Sequence, residues 1–395
     1  MSDLLSSRLV VKAVGVLLLL ALPFYADGFW LRSGLFAMAA VLGAIGLNLL
    51  TGTAGQLSLG HAFFVAVGAY GYVWLCAEPS GRGAARLSGL GLPPVPAFVL
   101  AVALAGAAGG LFSPIAGRLR GVYLGVATIA LVFLGQHAML TSHALTGGFN
   151  GRAVPPMEVL GFSFSDASPR RLAVLGVPFG GVERLWYLGL GLVAVGLFTA
   201  YGLRQGRPGR ALAALRDSET AAAVMGVPVA RYRCAAFVVS CLYAGAAGAL
   251  TALVFRRVVP DHFGLALSVD YLAMIVIGGL GSVGGVAVAA VLVSLLPQVL
   301  TTYADRLPLI TPTGSDGFGA TPGEAARYLY GAAIVLILTL APGGLGALAR
   351  RRPGAAATPA SAPPAAPAPT SAPAPAAGGA ADPATRPSTG KEPTP

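Results

Sequence analysis

The chain has few charged residues: Asp, Glu, Lys and Arg make up 10% of its 395 residues, whereas 55% are hydrophobic. A soluble domain normally carries about a quarter charged residues, so an ordinary soluble enzyme is excluded. Apolar runs recur from Leu9 to about Leu348, and many approach the roughly 20 residues that span a bilayer core. Such runs are expected to be helices because lipid offers no hydrogen-bond partner, and Val14–Ala21 lacks the alternation of a transmembrane barrel. The sequence therefore predicts an all-α, polytopic transmembrane helical bundle of about 8–10 spans.

The chain is also poor in residues that bind metals or carry redox chemistry. Its three cysteines, Cys76, Cys234 and Cys241, lie in or at the ends of apolar runs, and their spacing matches no metal or redox motif. We interpret them as small packing residues. The four histidines are scattered and form no H-E-x-x-H motif. No metal site and no catalytic residues are therefore predicted, and a membrane-embedded enzyme is disfavoured.

Positive charge is concentrated between the apolar runs. The net charge is +11, but no basic cluster lies beside aromatic residues, so nucleic-acid binding is not expected. The loop at residues 204–233 carries six arginines against Asp217 and Glu219. Such loops face the cytoplasm. Alternating the spans outward from it places both termini in the cytoplasm. Predicted outer loops also contain arginines, such as Arg170 and Arg256, so this orientation depends mainly on the one large basic loop.

The apolar runs define a transmembrane domain at residues 1–348, which contains the basic loop at 204–233. Working spans are placed at residues 9–26, 32–50, 57–76, 92–112, 121–141, 185–203, 234–255, 266–281, 283–300 and 328–346. The first lacks a convincing cleavage site before Asp27 and is interpreted as an uncleaved span. The eighth and ninth flank the Gly-rich run from Gly278 to Gly285, which is compatible with two crossings or with one broken element. Residues 349–395, rich in Pro and Ala, predict a disordered cytoplasmic tail.

The segment from Gly209 to Gly226 predicts a short amphipathic helix within the basic loop. Its apolar positions on one predicted face are Leu212, Leu215, Ala222 and Met225. Either Asp217 or Ser218 is expected to cap a second helical segment, with Glu219 near its positive end. A cytoplasmic helix of this kind can dock into a groove of a partner protein, or it can be an ordinary surface linker. The residues alone leave both interpretations open.

The same loop resembles the EAA-type cytoplasmic loop of ABC importer permeases, with Glu219, Ala221, Ala222 and Gly226 at the matching positions. Further segments, in the same order, resemble the LivM-like branch of the branched-chain amino-acid permease family. They are NLLTGTAGQLSLGHAFFVAVG from Asn48, Thr146-Gly147-Gly148, MIVIGGLGSVGG from Met274, and the last span from Tyr330 to Leu345. Together with the loop, these segments cover most of residues 30–348.

The resemblance implies the permease subunit of an ATP-driven ABC importer for branched-chain amino acids in the inner membrane, surrounded by membrane lipid. The implied partners are a second homologous permease, two ATP-binding cassette ATPase subunits and an extracytoplasmic solute-binding protein. The implied residues for coupling to the ATPase are Arg216, Asp217, Glu219, Ala221, Ala222 and Gly226. No cofactor is expected in this chain, because its only Gly-Lys pair, Gly390-Lys391, is followed by Glu392 and lacks the phosphate-binding motif.

Polar residues inside spans are costly and usually face a cavity or another helix. The candidates for the substrate pathway are Asn48, Gln56, Ser58, His61, Gln136, Gly147 and Gly148. For His61 and Gln136, an interhelical contact is the competing explanation. Few ionisable groups fall in mid-span, which disfavours a carrier with a buried carboxylate relay and suits net-neutral zwitterions.

The chain also departs from the family pattern. After Thr146-Gly147-Gly148 it has Phe149-Asn150-Gly151-Arg152, where a more polar or acidic residue is expected before Gly-Leu. This departure leaves urea, short amides and other amino acids open as substrates. An ion-coupled secondary transporter is a further alternative, and it would act without an ATPase.

Overall fold

The structure is a computed structural model that describes residues 14–81, 86–119, 121–159, 162–165, 173–174, 177–178, 180–303, 321–340 and 343–348. The predicted tail at 349–395, the start of the first predicted span and most of the long outer loop before Glu324 lie outside these residues. The following description concerns the described residues alone.

The described chain consists mainly of apolar helices. They are α1 (Val14–Phe24), α2 (Gly28–Leu47, continued by a π-helix over Asn48–Thr53), α3 (His61–Cys76), α4 (Pro94–Arg118), α5 (Val122–Thr141), α6 (His143–Thr146), α7 (Gly181–Gln205), α8 (Arg207–Asp217), α9 (Glu219–Val224), α10 (Val229–Phe255), α11 (Leu265–Gly278), α12 (Val283–Thr302), α13 (Pro322–Leu340) and α14 (Gly344–Leu348). Within the described residues, six are long and apolar enough to cross a membrane: α2 with its continuation, α4, α5, α7, α10 and α12. The prediction of a polytopic helical bundle is confirmed.

Each of the first nine predicted spans corresponds to one helix with shifted boundaries, whereas the tenth, at residues 328–346, covers most of α13 and the start of α14. The shifts reach six residues: α4 ends at Arg118 instead of residue 112, and α13 begins at Pro322 instead of residue 328. Thr321 and Glu324 form a reciprocal cap there: the Thr321 amide donates to the Glu324 carboxylate (3.0 Å), and the Glu324 amide donates to the Thr321 hydroxyl (3.4 Å). This capping box satisfies amides that would otherwise lack a partner, so the helix extends beyond its apolar stretch.

Helix α10 lies at the centre of the bundle and packs against α2, α3 and α4. Its contact with α3 depends on glycines on both helices. A Cβ atom at Gly68 would lie 2.3 Å from the Gly245 carbonyl oxygen, and one at Gly248 would lie 1.9 Å from the Val65 carbonyl oxygen. Because neither distance can hold a side chain, the two backbones are in direct contact, as in helix pairs that associate through small residues in membranes.

Short strands occur in the connections between helices. They are β1 (Arg152–Ala153), β2 (Glu158–Val159), β3 (Phe162–Ser163), β4 (Ala173–Val174), β5 (Val177–Pro178) and β6 (Arg257–Val258). The antiparallel pairs are β1 with β6, β2 with β3, and β4 with β5. The β1–β6 pair sets Arg152 opposite Val258, so it joins the connection after α5 to the connection after α10.

Helix α3 begins inside the bundle, against α5 and α11. The Leu59 amide donates to the hydroxyl of Thr128 (2.9 Å), and the Ala62 amide donates to the hydroxyl of Ser268 (3.0 Å). Both hydroxyl-bearing side chains are buried. With 16 residues, α3 is about 24 Å long, shorter than the ~30 Å hydrocarbon core. The third predicted span is therefore a short helix that follows a non-helical stretch at residues 55–60.

The eighth and ninth predicted spans are two separate helices, α11 and α12, which pack against each other. The corner between them is tight: a Cβ atom at Gly278 would lie 2.4 Å from the Cα of Val286. The Ser282 hydroxyl accepts a hydrogen bond from the Gly285 amide (3.2 Å) and caps α12. The Gly-rich run thus forms a close-packed corner between two helices.

Candidate functional site

The basic loop between α7 and α10 folds into the two helices α8 and α9. They are separated at Ser218, whose side chain accepts a hydrogen bond from the Ala221 amide (3.3 Å). Ser218 is therefore the cap of the second helix, and Asp217 is an exposed residue at the end of the first. Glu219 lies in the first turn of α9, where its charge is favourable to the helix dipole.

The apolar residues of this loop do not share one face. Of the positions predicted to share a face, Leu215 and Ala222 are buried, whereas Met225 is 80% exposed; its neighbour Val224 is 89% exposed. The prediction for Met225 was wrong because α9 ends at Val224 and the chain turns at Gly226. As a result, two adjacent apolar side chains project from the tip of the loop.

Gly226 is required by its backbone conformation. Its φ is +80°, a region that residues with a Cβ atom rarely adopt, whereas nothing lies within 4 Å of where a Cβ atom would be. A larger residue would therefore find space but would strain the turn that presents Val224 and Met225.

Glu219 forms a two-point ion pair with Arg233, at the start of α10. One carboxylate oxygen lies 3.0 Å from a guanidinium nitrogen, and the other accepts a hydrogen bond of 3.1 Å. Both side chains are largely shielded from solvent, with 15% and 23% exposure. The paired geometry holds the N-terminus of α9 against α10.

The loop is also bonded to the segment that connects α2 to α3. The Gln56 side-chain amide donates to the carbonyl of Arg233 (3.2 Å), and the Arg216 guanidinium donates to the carbonyl of Gly52. The resemblance assigns Arg216 and Glu219 to coupling. Arg216 contacts the segment that contains Asn48, Gln56, Ser58 and His61 directly, and Glu219 contacts it through Arg233. The structure brings these two predicted sets together.

Several polar groups along this segment lack partners among the described residues. Asn48 accepts a hydrogen bond from the Gly281 amide (2.8 Å), but its Nδ2 atom has no partner. The same holds for Oε1 of Gln56 and Nε2 of His61, and all three side chains are buried. A buried polar atom without a partner is costly, so such atoms occur where water, a ligand or another conformation supplies one.

His61 is the first residue of α3 and lies at the centre of this region. Its ring makes an edge-to-face contact with Tyr271 of α11, with ring centroids 5.0 Å apart, and hydrogen bonds to the backbone of Gly43 in α2. Ser58 accepts a bond from the Gly60 amide (3.4 Å) within the same turn. His61 therefore contacts two other helices, α2 and α11, at the point where α3 begins.

The remaining pathway candidates, Gln136, Gly147 and Gly148, are not part of this cluster. The half-buried Gln136 lies in α5 beside Gly264, in the connection that precedes α11. Gly147 and Gly148 have positive φ angles and form the turn that ends α6. This turn follows the end of α5 opposite to the end near the basic loop.

Arg152 is the last residue of the segment at residues 149–152, which departs from the family pattern, and it has a defined set of contacts. Its side chain is buried and donates to the carbonyls of Leu145 (3.1 Å) and Ser88, so it ties the turn at Gly147 to the connection between α3 and α4. Burial lowers the pKa of the Arg152 guanidinium from its ordinary value. Arg152 thus has a structural role, because its side chain joins two connections between helices.

Two residues of the site, Arg233 and Asp270, were not predicted from the sequence. Arg233 was counted only as loop charge, although it is the partner of Glu219, and nothing in the sequence alone pairs them across 14 positions. Asp270 was also missed, although it is the one acidic residue of α11 and an ionisable residue inside a span is a marker of function. Among the described residues, no group of three or more His, Cys, Asp and Glu could hold a metal ion.

The comparisons with known proteins agree with the architecture. A family model described as the permease component of branched-chain amino acid transport systems matches residues 31–338. The high-affinity branched-chain amino acid transport system permease protein LivM of Escherichia coli (strain K12) is 30% identical over 297 residues, which are 73% of this chain and 67% of that protein. The LivM protein of Salmonella typhimurium (strain LT2) is 31% identical over 292 residues, 72% of this chain and 66% of that protein. The chain thus spans about two-thirds of these relatives, and no solved structure matched it.

Proposed function

Because this chain belongs to the branched-chain amino acid transport permease family, in its LivM-like branch, we propose that it is the membrane-spanning subunit of an ATP-driven importer for leucine, isoleucine and valine. It forms the translocation pathway together with a second, homologous permease. Two ATPase subunits bind on the cytoplasmic side, and a solute-binding protein delivers the amino acid from the other side. This chain binds no cofactor and hydrolyses no ATP.

The observation that best supports this proposal is the set of contacts between the basic loop and the start of α3. Arg216 bonds to Gly52, and Glu219 holds Arg233, whose carbonyl holds Gln56. Two of these contacts reach the segment between α2 and α3, and a surface linker would not need them. A loop that transmits movement to the pathway does need them.

In the mechanism that we propose, the exposed Val224 and Met225 insert into a groove of the ATPase subunit. When the ATPases close, the α8–α9 unit moves with them. The polar contacts of Arg216 and Arg233 then pull on the stretch between Gly52 and His61, where short helix α3 meets α5 and α11. The pathway alternates between its two openings because this junction has two arrangements.

The proposed orientation follows from the same loop. A loop that docks on an ATPase lies in the cytoplasm, which agrees with its surplus of arginines. By alternation, both termini of the chain are cytoplasmic, and the protein is a multi-pass protein of the inner membrane.

The experiment that tests the proposal is purification of the full chain from its native membrane, with mass spectrometry of the partners and measurement of ATP hydrolysis. A second permease and ATPase subunits in stoichiometric amounts are the expected result. A chain that purifies alone, and that supports uptake driven by an ion gradient, would contradict the proposal. The ligand of the associated binding protein distinguishes branched-chain amino acids from urea, short amides and other amino acids.

A further inference from the structure

A cavity of about 280 Å³ lies within the bundle, between α2, α3, α10, α11, α12 and α13. Its polar lining includes Asp270 and Tyr271 of α11, Ser294 of α12 and Tyr330 of α13. Thr251 and His262 also line the cavity, and the remaining side chains of the wall are apolar, among them Phe36 and Val65. A concave, mostly apolar space with a few convergent polar groups is the usual form of a small-molecule site.

Asp270 is the unusual member of this lining. Among the described residues, its carboxylate makes no hydrogen bond and no salt bridge; Arg327 of α13 acts on it only at longer range. A carboxylate in a membrane-spanning helix is costly unless a cation, a hydrogen-bond donor or water compensates it. The side chain of Arg327 is exposed and does not line the cavity. The carboxylate of Asp270 is therefore available to bind a small cationic group inside the cavity.

The hydroxyl groups around Asp270 supply the complementary chemistry. Tyr271 and Tyr330 are buried and line the same cavity as Asp270. Neither tyrosine hydroxyl donates a hydrogen bond to a described residue. Both groups can donate to a ligand carboxylate, while Phe36 and Val65 offer apolar contacts to a branched side chain.

We propose that this cavity binds a small zwitterionic amino acid with an apolar side chain, its ammonium group bound by Asp270. The hydroxyls of Tyr271 and Tyr330 bind its carboxylate. The inference rests on the proposed function and extends it by naming the residues that recognise the substrate. Tyr271 also contacts His61, the first residue of α3, so a ligand bound to Tyr271 is one contact away from the start of α3.

The test uses the full chain in lipid nanodiscs and three probes: leucine, 3-methylbutylamine, which lacks the carboxylate, and 4-methylpentanoate, which lacks the amino group. For Asp270→Asn, leucine and the amine are expected to bind roughly 10- to 100-fold more weakly, because a hydrogen bond between charged groups is lost. Binding of 4-methylpentanoate is expected to be unchanged. The matched control is Asp261→Asn, which removes an exposed acid outside the cavity and should change none of the three.

Tyr330→Phe provides a second variant that keeps the carboxylate of Asp270 and so does not depend on how well the first variant folds. It should weaken leucine and 4-methylpentanoate by roughly 3- to 10-fold and leave the amine unaffected. Wild-type affinity for leucine in both variants would overturn the site, as would equal weakening of all three probes. The site would also be overturned if the wild-type chain bound no leucine.

A separate assay distinguishes this inference from the proposed function. If the wild-type importer accumulates leucine with ATP and Asp270→Asn does so equally well, the cavity is wrong and the proposed function stands. If the wild-type importer, with its partners, accumulates no branched-chain amino acid, the proposed function itself is wrong.

Discussion

The Glu219–Arg233 ion pair provides the most direct perturbation of the proposed coupling loop. Replacing Glu219 with Arg removes two contacts of 3.0 and 3.1 Å and sets two positive charges against each other. Because Arg233 also holds Gln56 through its carbonyl, the loop and the start of α3 should move independently in the variant. ATP hydrolysis should continue while amino-acid uptake falls.

The free energy that the Glu219–Arg233 pair contributes can be estimated from how far the pair is buried. Exposed ion pairs contribute about 0.2–1 kcal/mol, and breaking a fully buried pair costs about 3–5 kcal/mol. With the side chain of Arg233 15% exposed and that of Glu219 23% exposed, the pair lies between these limits, and we assign it about 1–2 kcal/mol. This corresponds to a roughly 5- to 30-fold change in the population of the docked loop, and to a similar loss of uptake per ATP.

The assay is leucine uptake and ATP hydrolysis by the reconstituted importer. Reversing the pair, with Glu219→Arg and Arg233→Glu together, should restore most of the coupling. Arg231→Gln is the control, because Arg231 is an exposed arginine of the same loop and contacts no described residue through a hydrogen bond or ion pair. Unchanged uptake per ATP in Glu219→Arg would refute the reasoning, and so would a defect that the reversed pair leaves uncorrected.

Three further predictions concern the loop and the bundle. Gly226→Ala should strain the turn by about 1–2 kcal/mol, because φ is +80° there, and should reduce ATP-driven uptake while the membrane bundle stays folded. Gly248→Ala should instead lower the melting temperature, since its Cβ would lie 1.9 Å from a backbone oxygen of α3 and such overpacking costs about 1–3 kcal/mol. Gly191→Ala, with nothing within 4 Å, is the control for both, and equal behaviour of the three variants would contradict both predictions. Asn48→Ala should leave the buried amide of Gly281 unpaired and destabilise the protein by about 1–3 kcal/mol, which thermal unfolding in detergent measures; an unchanged unfolding temperature would count against it.

The positions of the helices were predictable from hydropathy, because each apolar run must form a helix in lipid. Their exact ends were not, since caps such as Thr321–Glu324 and Ser218 extend or divide helices without changing hydropathy. The start of α3 inside the bundle was also not predictable. It depends on hydrogen bonds from residues of α5 and α11 that are distant in sequence.

The candidate site was predictable only in part. Resemblance identified the residues of the loop, and polarity within a span identified Asn48, Gln56 and His61. The contacts that join these two groups pass through Arg233 and Gly52, which have no distinguishing feature in the sequence. Met225 was placed on the same helix face as Leu212, Leu215 and Ala222, but α9 ends at Val224, so helical periodicity does not apply to Met225.

The most direct test of the central claim is leucine accumulation in proteoliposomes that contain this chain with its co-purified partners, with the solute-binding protein outside and ATP inside. The proposed function predicts accumulation against a gradient that requires ATP and is abolished when this chain is omitted. Accumulation that persists without ATP, or that follows an imposed proton or sodium gradient, would contradict it.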